Sequence, residues 1–219
     1  MANVLDSISW FGHASFSIEN KIGKKFYFVD PFDLKRLPDN KADAIFITHA
    51  HYDHWSPNDI RKLIKNDTVV VATNGCENLN LPSNAFMIVE PGRILTVAGI
   101  RVKTIPAYNV KPDRLSYHPK ENKWVGYIFE VGELRIYHAG DTDFIPEMRN
   151  LTDIDVAMLP IGGTYTMDVK EAVQAANAIK AEVTIPMHYR RLLGENAKAA
   201  EETFKAGVKG KVEVMRELS

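Results

Sequence analysis

The chain has 219 residues, of which 45% are hydrophobic and 25% charged, and its formal net charge at pH 7 is −1. This is the profile of an ordinary globular protein with a sizeable core, without the strongly basic balance that draws proteins to long nucleic acids or anionic membranes. The single cysteine, Cys76, excludes an internal disulfide, no membrane-spanning run or signal-peptide pattern is visible, and we expect a cytoplasmic protein.

Short apolar runs alternate with turn residues through the first two thirds of the chain and predict a series of β-strands. One helix interrupts this series, because Ser56 can cap a helix and Pro57 suits its first position. That helix should run to about Lys65. The predicted strands are residues 7–10, 14–18, 25–29, 44–47, 68–72, 85–89, 94–97, 100–105, 125–131 and 134–138.

The last third of the chain alternates strands with helices. Thr166 is placed to cap a helix that extends to Ile179 with apolar residues at the i, i+3, i+4 spacing of a half-buried helix. A final helix over about 195–206 should end with Gly207 as its C-cap. We therefore predict an α/β fold, with residues 1–219 forming one domain in which helices cover two packed sheets. The strands in this part are predicted at residues 156–159, 183–187 and 212–215.

The most informative segment follows the strand at 44–47. His49, His51, Asp53 and His54 fall within six positions. In extended backbone, side chains at i and i+2 share a face, so His49 and His51 can point at one ion, while Asp53 and His54 can serve a second ion. Neutral imidazole is the commonest protein ligand for zinc-like ions, and a buried ring nitrogen needs a partner. A polar loop with several surface histidines is the alternative interpretation.

Two further candidate ligands lie at the ends of predicted strands, where loops often carry function. Asp141 follows Gly140, which allows a tight turn, and its carboxylate can bridge two cations. A turn or helix-capping aspartate is the alternative. His188 ends the strand at 183–187, where a lone histidine is more often structural than a ligand.

Taken together, His-x-His-x-Asp-His after a strand, a later Gly-Asp-Thr and a final histidine at a strand end resemble the metallo-β-lactamase superfamily. The segments 12–15 and 29–32 are similar to its compact branch of predicted metal-dependent hydrolases, which resembles the ascorbate-phosphate lactonases and the N-acyl phosphatidylethanolamine phospholipase D. The resemblance implies a four-layer αββα sandwich with the site at one edge, between the sheets. It also implies that one site uses His49 and His51, the other Asp53, His54 and His188, with Asp141 between them.

The chain departs from the family pattern at one position. The pattern includes a third histidine for the first site, commonly in a Pro-Ala-x-His segment, and here Asn109 stands at that place. Asn109 can coordinate weakly through its carbonyl oxygen, which suits harder cations. Alternatively, His118 coordinates the ion or contacts substrate. A third alternative is that the first site fills weakly and leaves one tight ion.

Other residues are expected to support the site. The resemblance places His13 near it, behind the ligands or against the substrate, with a purely structural histidine as the alternative. Asp30 is a candidate acceptor for the free N–H of a metal-bound imidazole. His138 is expected to be structural. Arg190 and Arg191 can bind an anionic group, although adjacent arginines are usually solvated.

These observations predict a metal-dependent hydrolase that acts on an ester, lactone or phosphodiester of a small molecule. One or two divalent ions per chain, zinc first and manganese or iron next, would activate the attacking water. Asp53 is expected to orient that water and accept its proton, and His118 is the other catalytic candidate. No long nucleic acid is expected as a partner, and the oligomeric state is not indicated. The alternatives are a di-iron redox protein and a metal-binding protein with little catalysis.

Overall fold

Two β-sheets form the centre of the molecule, which the computed structural model describes over residues 4–77, 79–82 and 84–218. In the first sheet the strands lie in chain order. The first three are antiparallel and the others continue in parallel. The strands are β1 (Ile8–Trp10), β2 (Phe16–Asn20), β3 (Lys25–Val29), β4 (Ala44–Phe46), β5 (Val69–Thr73) and β6 (Phe86–Val89).

The second sheet repeats this plan, and its strands also lie in chain order. Its first four strands are antiparallel, and the strands after them add in parallel. The strands are β7 (Ile94–Val97), β8 (Ile100–Pro106), β9 (Val125–Val131), β10 (Leu134–His138), β11 (Val156–Pro160), β12 (Val183–Met187) and β13 (Lys211–Val212).

The sheets pack face to face because their central strands are apolar on both faces, as parallel strands covered on two sides must be. On β4, Phe46 points between the sheets, with its ring centroid 5.4 Å from that of Tyr127 and 4.9 Å from that of Phe129. Ile45 points the other way, into the apolar cluster on the outer face of the first sheet.

Helices cover the two outer faces. Ile60 and Leu63 of the first helix pack on the first sheet, whereas the second helix packs on β11 of the second sheet and the fourth helix packs on the second. The order helix–sheet–sheet–helix is the predicted αββα sandwich. Within the described residues, we find no helix with the length and apolarity that crossing a bilayer requires. The helices are α1 (Pro57–Leu63), α2 (Val169–Ile179), α3 (Arg190–Leu193) and α4 (Ala197–Gly207), with 3-10 turns at Val4–Ser7, Lys120–Asn122, Pro146–Asn150 and Gly194–Asn196.

The helix ends test the capping predictions. Ser56 caps α1 as predicted, accepting a hydrogen bond from the Asp59 N–H. The prediction for Thr166 was wrong, because the N-cap of α2 is Asp168, two residues later. The Asp168 carboxylate accepts from the Glu171 N–H, and the Glu171 carboxylate accepts from the Asp168 N–H. The prediction of Gly207 as the C-cap of α4 was also wrong. Gly207 lies in the last turn of α4, and Val208 is the C-cap.

The predicted strands are confirmed with shifts of one or two residues at several ends, and the largest difference is the closing strand. It was predicted over 212–215 but is β13 (Lys211–Val212). Its parallel pairing to β12 ends at Val212, and the chain beyond it leaves the ladder.

Candidate metal centre

Six of the seven histidines of the chain converge at one edge of the sandwich. The carboxyl ends of β3, β4, β10 and β12 meet at this edge and deliver residues from both sheets. The remaining histidine, His138, is buried in β10, with Nε2 2.9 Å from the carbonyl of Ala14. The converging residues are His13, His49, His51, Asp53, His54, His118, Asp141 and His188.

Asp30, just after β3, shapes the loop that carries most of these side chains. One carboxylate oxygen accepts the backbone N–H of Thr48 at 2.8 Å. The other accepts the Thr48 hydroxyl at 2.7 Å and lies 2.8 Å from Nδ1 of His54. With Nδ1 of His54 committed to the carboxylate, its Nε2 faces the cluster. This contact to an imidazole of the cluster is the one expected for Asp30.

The backbone at the site is held in a sparsely populated conformation. His13, Asp30 and His188 have φ values of 50°, 44° and 55°, in the left-handed region that non-glycine residues rarely occupy. Such residues cluster at functional sites because the surrounding structure must over-determine them. Gly140, before Asp141, has φ 64°, and a Cβ there would lie 3.0 Å from the Val125 carbonyl oxygen. The backbone conformation that places the Asp141 carboxylate in the cluster therefore requires a glycine at position 140.

The first group of candidate ligands consists of His49, His51 and His118. His49 Nε2 lies 3.1 Å from His51 Nδ1, and the Thr48 hydroxyl holds the other nitrogen of His49 at 2.9 Å. The indole of Trp124 packs beside these three rings, with centroid distances between 4.8 and 5.7 Å. Sequence reasoning missed Trp124, which shields this group on one side.

Asn109 lies behind His118, not among the candidate ligands. Its Oδ1 accepts from the backbone N–H of His118 at 3.1 Å and lies 2.8 Å from His118 Nδ1. Its Nδ2 donates to Asp143 and to the carbonyl of Tyr165, both at 3.0 Å. The whole amide is thus occupied, and it leaves the lone pair of His118 on Nε2, which faces the cluster.

A buried ionic network supports Asn109 from behind. Arg114 pairs with Asp143 at 2.9 Å and with Glu171 of α2 at 2.7 Å, and it donates to the carbonyl of Thr166. Asp143 also accepts the N–H groups of Val110 and Lys111, at 2.8 and 3.0 Å. Because a buried charge is costly unless paired, this network fixes the long segment that carries His118. No local sequence pattern pointed to these residues.

The second group of candidate ligands consists of His13, Asp53, His54 and His188. His13 Nε2 lies 3.0 Å from Asp53 Oδ2, and His188 Nε2 lies 3.7 Å from the same oxygen. The sequence placed His13 near the site; the structure brings it into direct contact with Asp53. The backbone also couples these residues, since the His188 N–H donates to the His13 carbonyl at 3.1 Å.

Asp141 lies between the two groups. Its Oδ2 is 3.0 Å from His188 Nε2, 3.5 Å from His118 Nε2 and 4.0 Å from His49 Nε2. Its Oδ1 is 3.4 Å from His54 Nε2. One carboxylate therefore reaches imidazoles from both groups.

Burial and mutual charge set the protonation preferences of the site. Burial would raise the pKa of Asp141, but the neighbouring charges of His188 and His54 outweigh it and hold that pKa well below its usual range. Burial likewise opposes ionisation of Asp53, but the hydrogen bond from His13 and the nearby imidazole of His188 lower its pKa. Both carboxylates are therefore ionised at neutral pH.

The imidazoles of the cluster differ in the direction in which their pKa values are shifted. Burial lowers the pKa of His49 and His51, and lowers that of His13 to about 4. For His188, the charge of Asp141 overcomes the opposing effect of burial and raises the pKa to about 9.

The residues present fit divalent metal ions. Six buried atoms of the cluster have no partner in hydrogen-bond geometry among the described residues. Four of them lie at the contacts around Asp141: Nε2 of His54, His118 and His188, and Oδ1 of Asp141. The other two are Nδ1 of His13 and Nδ1 of His188. Zinc–nitrogen bonds are about 2.0–2.1 Å, so two ligands of one ion lie at most about 4.2 Å apart. The separations of 3.0 to 4.0 Å around Asp141 fall within that limit. Imidazole and carboxylate ligands suit zinc, manganese or iron.

A cleft of about 310 Å³ opens onto the candidate ligands. Of the two arginines singled out in the sequence, Arg191 lines this cleft, whereas Arg190 pairs with Glu201 at 3.1 Å. Most of the other wall residues are aromatic, and sequence reasoning missed them because they come from separate loops. The wall beyond the candidate ligands is formed by Phe32, Tyr52, Tyr117, Tyr165, Arg191 and Leu192.

Comparison with known proteins gives consistent similarities. A family model for the beta-lactamase superfamily domain matches residues 7–188. A UPF0173 metal-dependent hydrolase from Thermoplasma acidophilum is 38% identical over 216 residues, which cover 91% of this chain and 89% of the relative.

Two solved structures extend this similarity to the fold. A candidate metal-dependent hydrolase from Parabacteroides distasonis superposes with a TM-score of 0.81 at 31% identity, covering 95% of this chain and 93% of the other. A candidate zinc-dependent hydrolase of the metallo-β-lactamase superfamily from Thermotoga maritima gives a TM-score of 0.64 at 27% identity, covering 96% and 98%.

Proposed function

The chain belongs to the metallo-β-lactamase superfamily, among the UPF0173 metal-dependent hydrolases, and on that premise we propose that it hydrolyses an ester, lactone or phosphodiester bond of a small molecule at two adjacent zinc-like ions. It is a metal-dependent hydrolase. The identity and number of the ions and the bond that is cleaved are our proposal.

One observation carries this proposal. Buried nitrogen and oxygen atoms without hydrogen-bond partners, from His54, His118, His188 and Asp141, face one another at the base of an open cleft. Burying polar atoms unpaired costs free energy, so the fold retains them only for a partner that supplies the missing bonds. A cation is the partner that imidazole lone pairs and carboxylates share.

We assign one ion to His49, His51 and His118, and the other to Asp53, His54 and His188, with Asp141 reaching both. Ions of this kind would lower the pKa of a bound water towards about 7 and polarise the bond under attack. Under this assignment His118 binds metal through Nε2 and does not transfer protons. His118 then supplies the third ligand of the first site, in place of the histidine of the family pattern, and Asn109 orients the His118 ring.

Asp53 is the group placed to orient the attacking water. Its Oδ2 faces the second group, 3.0 Å from His13 Nε2 and 3.7 Å from His188 Nε2, and is the oxygen that would hold the ion, while its Oδ1 has no hydrogen-bond partner among the described residues. The Asp53 side chain is 20% exposed and lines the cleft. Oδ1 is therefore free to accept a hydrogen bond from water, and we propose that it receives the proton. His13 steadies the carboxylate by holding the other oxygen.

Substitution of one residue from each part of the centre tests the proposal. His51→Ala and Asp141→Ala should each lose bound metal and lower the hydrolysis rate at least about 100-fold, because removing a ligand costs more than disturbing its support. Metal content is measured on the purified proteins, and rates on a panel of lactones, simple esters and bis-p-nitrophenyl phosphate.

Asp67→Ala is the matched control, since Asp67 is 71% exposed and distant from the centre. Circular dichroism checks that each variant folds. Wild-type rates with unchanged metal content in His51→Ala or Asp141→Ala would show that the site is assigned wrongly. Bound iron with visible absorption and no hydrolysis would instead indicate a redox centre.

A further inference from the structure

We propose that the cleft selects carboxylic esters or lactones that carry a ring-sized apolar group and no phosphate. This inference rests on the proposed function and specifies its substrate class. It comes from the wall of the cleft and not from the candidate ligands at its base.

Two aromatic pairs form much of that wall. Phe32 and Tyr52 meet edge to face, with ring centroids 5.8 Å apart and planes at 80°. Tyr117 and Tyr165 do the same at 4.8 Å and 89°. Edge-to-face contact is a favourable arrangement of two rings, so the two rings of each pair hold each other in place. The cleft is thus bounded by preformed apolar surfaces that different segments of the chain contribute.

These surfaces are exposed although burial would be favourable. Tyr52 is 78% exposed, Tyr117 and Tyr165 are each 37% exposed, and Leu192 is 36% exposed. Contiguous apolar surface that stays open to water commonly marks a ligand site. An apolar group of the substrate would cover this surface while the reacting bond lies over the candidate ligands.

The charges on the wall argue against a phosphate group. Among the described residues of the wall beyond the candidate ligands, Arg191 is the one cationic side chain. Its guanidinium lies over the Phe32 ring and pairs with Asp33 at 2.8 Å. Phosphate recognition typically uses several unneutralised donors, often a bidentate arginine. A dianionic phosphate in this cleft would meet one arginine whose charge is already balanced.

The size of the cleft limits the substrate further. Its volume of about 310 Å³ lies at the small end of ligand pockets. One ring beside an ester group fits such a space, whereas a polymer would extend beyond it.

Three methyl esters with the same leaving group test the inference: methyl phenylacetate, methyl acetate and methyl 3-phosphonopropionate. With zinc-loaded protein, kcat/KM for methyl phenylacetate should exceed that for methyl acetate at least about tenfold, since even one methylene in an apolar pocket discriminates by about 10-fold or more. The kcat/KM for methyl 3-phosphonopropionate should not exceed that for methyl acetate. In the double variant Tyr117→Leu and Tyr165→Leu, the phenylacetate preference should fall at least about threefold. The control variant Ile88→Ala, on the exposed edge strand β6, should retain the wild-type preference for methyl phenylacetate.

Binding separates failure of this inference from failure of the proposed function. Titration calorimetry compares phenylacetate with acetate on the zinc-loaded protein. Ester hydrolysis without a preference for the phenyl group, or with a preference for the phosphonate, would overturn the inference and leave the proposed function standing. If no ester, lactone or phosphodiester is hydrolysed, the proposed function fails. The calorimetric comparison then decides the inference: tighter binding of phenylacetate supports it, and equal binding overturns it.

Discussion

At the scale of single residues, the centre depends on how each imidazole is turned. A ring that binds a cation through one nitrogen must place its other N–H on an acceptor. Asp30 serves His54 in this way at 2.8 Å, and Asn109 serves His118 at 2.8 Å. The position at which the family pattern has a histidine thus holds a residue that orients a histidine from later in the chain.

Asn109→Ala should weaken metal binding at the first site by about 10–100-fold, the usual cost of removing such a support. The reason is that His118 Nδ1–H loses its acceptor in a buried environment and the ring loses its orientation. Competition with a chromophoric chelator measures the affinity. Nitrogen NMR of the metal-free protein adds a second readout, since wild-type His118 should carry its proton on Nδ1. Asn150→Ala, at an exposed position, is the control.

Unchanged affinity in Asn109→Ala, together with an unchanged His118 tautomer, would contradict this role for Asn109.

The local sequence singled out His49 to His54 because they lie close together in the chain. It offered Asp141 and His188 only as candidates at strand ends, and the family resemblance is what implied that they are ligands. The sequence left Asn109 and His118 as alternatives, because their relation depends on the conformation of a long segment between β8 and β9. Arg114 and Asp143 shape that segment through buried contacts over long sequence separations, which no local pattern encodes.

At the scale of elements, buried hydrogen bonds and ion pairs hold the ends of the strands in register. Asp43, just before β4, is the clearest case away from the metal centre. Its carboxylate accepts from the Phe26 N–H at 2.8 Å and pairs with Lys25 and Lys65 at 2.9 and 2.8 Å. The side chain is 7% exposed, so these contacts are largely shielded from water.

Asp43→Asn should lower the free energy of unfolding at pH 7 by about 1–3 kcal/mol, the cost of breaking hydrogen bonds to a buried charged group. Burial would raise the pKa of Asp43, but hydrogen bonds from Lys65, Lys25 and the Phe26 N–H outweigh it and lower the pKa. A lowered folded-state pKa means that the stabilisation is present above the unfolded-state pKa of about 3.9. It is lost as the pH falls through the folded-state value.

Urea unfolding of both proteins at pH 7 and below pH 4 measures this difference. The gap between wild type and Asp43→Asn should narrow at the lower pH. Asp67→Asn changes an exposed aspartate near Lys65. Its free energy of unfolding should stay within about 0.5 kcal/mol of the wild-type value at both pH values. A gap that is equally large at both pH values would contradict the ionic origin of the stabilisation.

Strands were easier to predict than helix ends. A central strand such as β4 appears in the sequence as an unbroken apolar run, because both of its faces are covered. Thr166 and Asp168 are both good capping residues. The choice between them depends on Arg114, which binds the Thr166 carbonyl, and on Glu171, which completes the capping box of Asp168. Those contacts are tertiary and cannot be read from the local sequence.

At the scale of the whole molecule, the candidate centre joins the two sheets. His49, His51, Asp53 and His54 follow β4 of the first sheet, whereas Asp141 and His188 follow β10 and β12 of the second. An ion bound by both sets would therefore link the two halves of the sandwich across its open edge. Two packed sheets covered by helices were predictable from the local alternation of apolar strands and amphipathic helices, whereas the four-layer αββα order was implied by the family resemblance.

Removing the metal should lower the melting temperature by about 10 °C. A ligand at 1,000 times its Kd stabilises the native state by about 4 kcal/mol, and 1 kcal/mol shifts a domain of this size by about 2–4 °C. Differential scanning calorimetry with a chelator, and again after zinc is restored, measures the shift. His51→Ala should show a smaller difference. Equal melting temperatures with and without metal would contradict a link between the sheets.

The most direct measurement is anomalous diffraction at the zinc edge from crystals grown with zinc. We predict one peak among His49, His51 and His118 and a second among Asp53, His54 and His188, with Asp141 contacting both. No peak at this edge of the sandwich, or zinc bound only to other residues, would contradict the claim that these side chains form a metal centre.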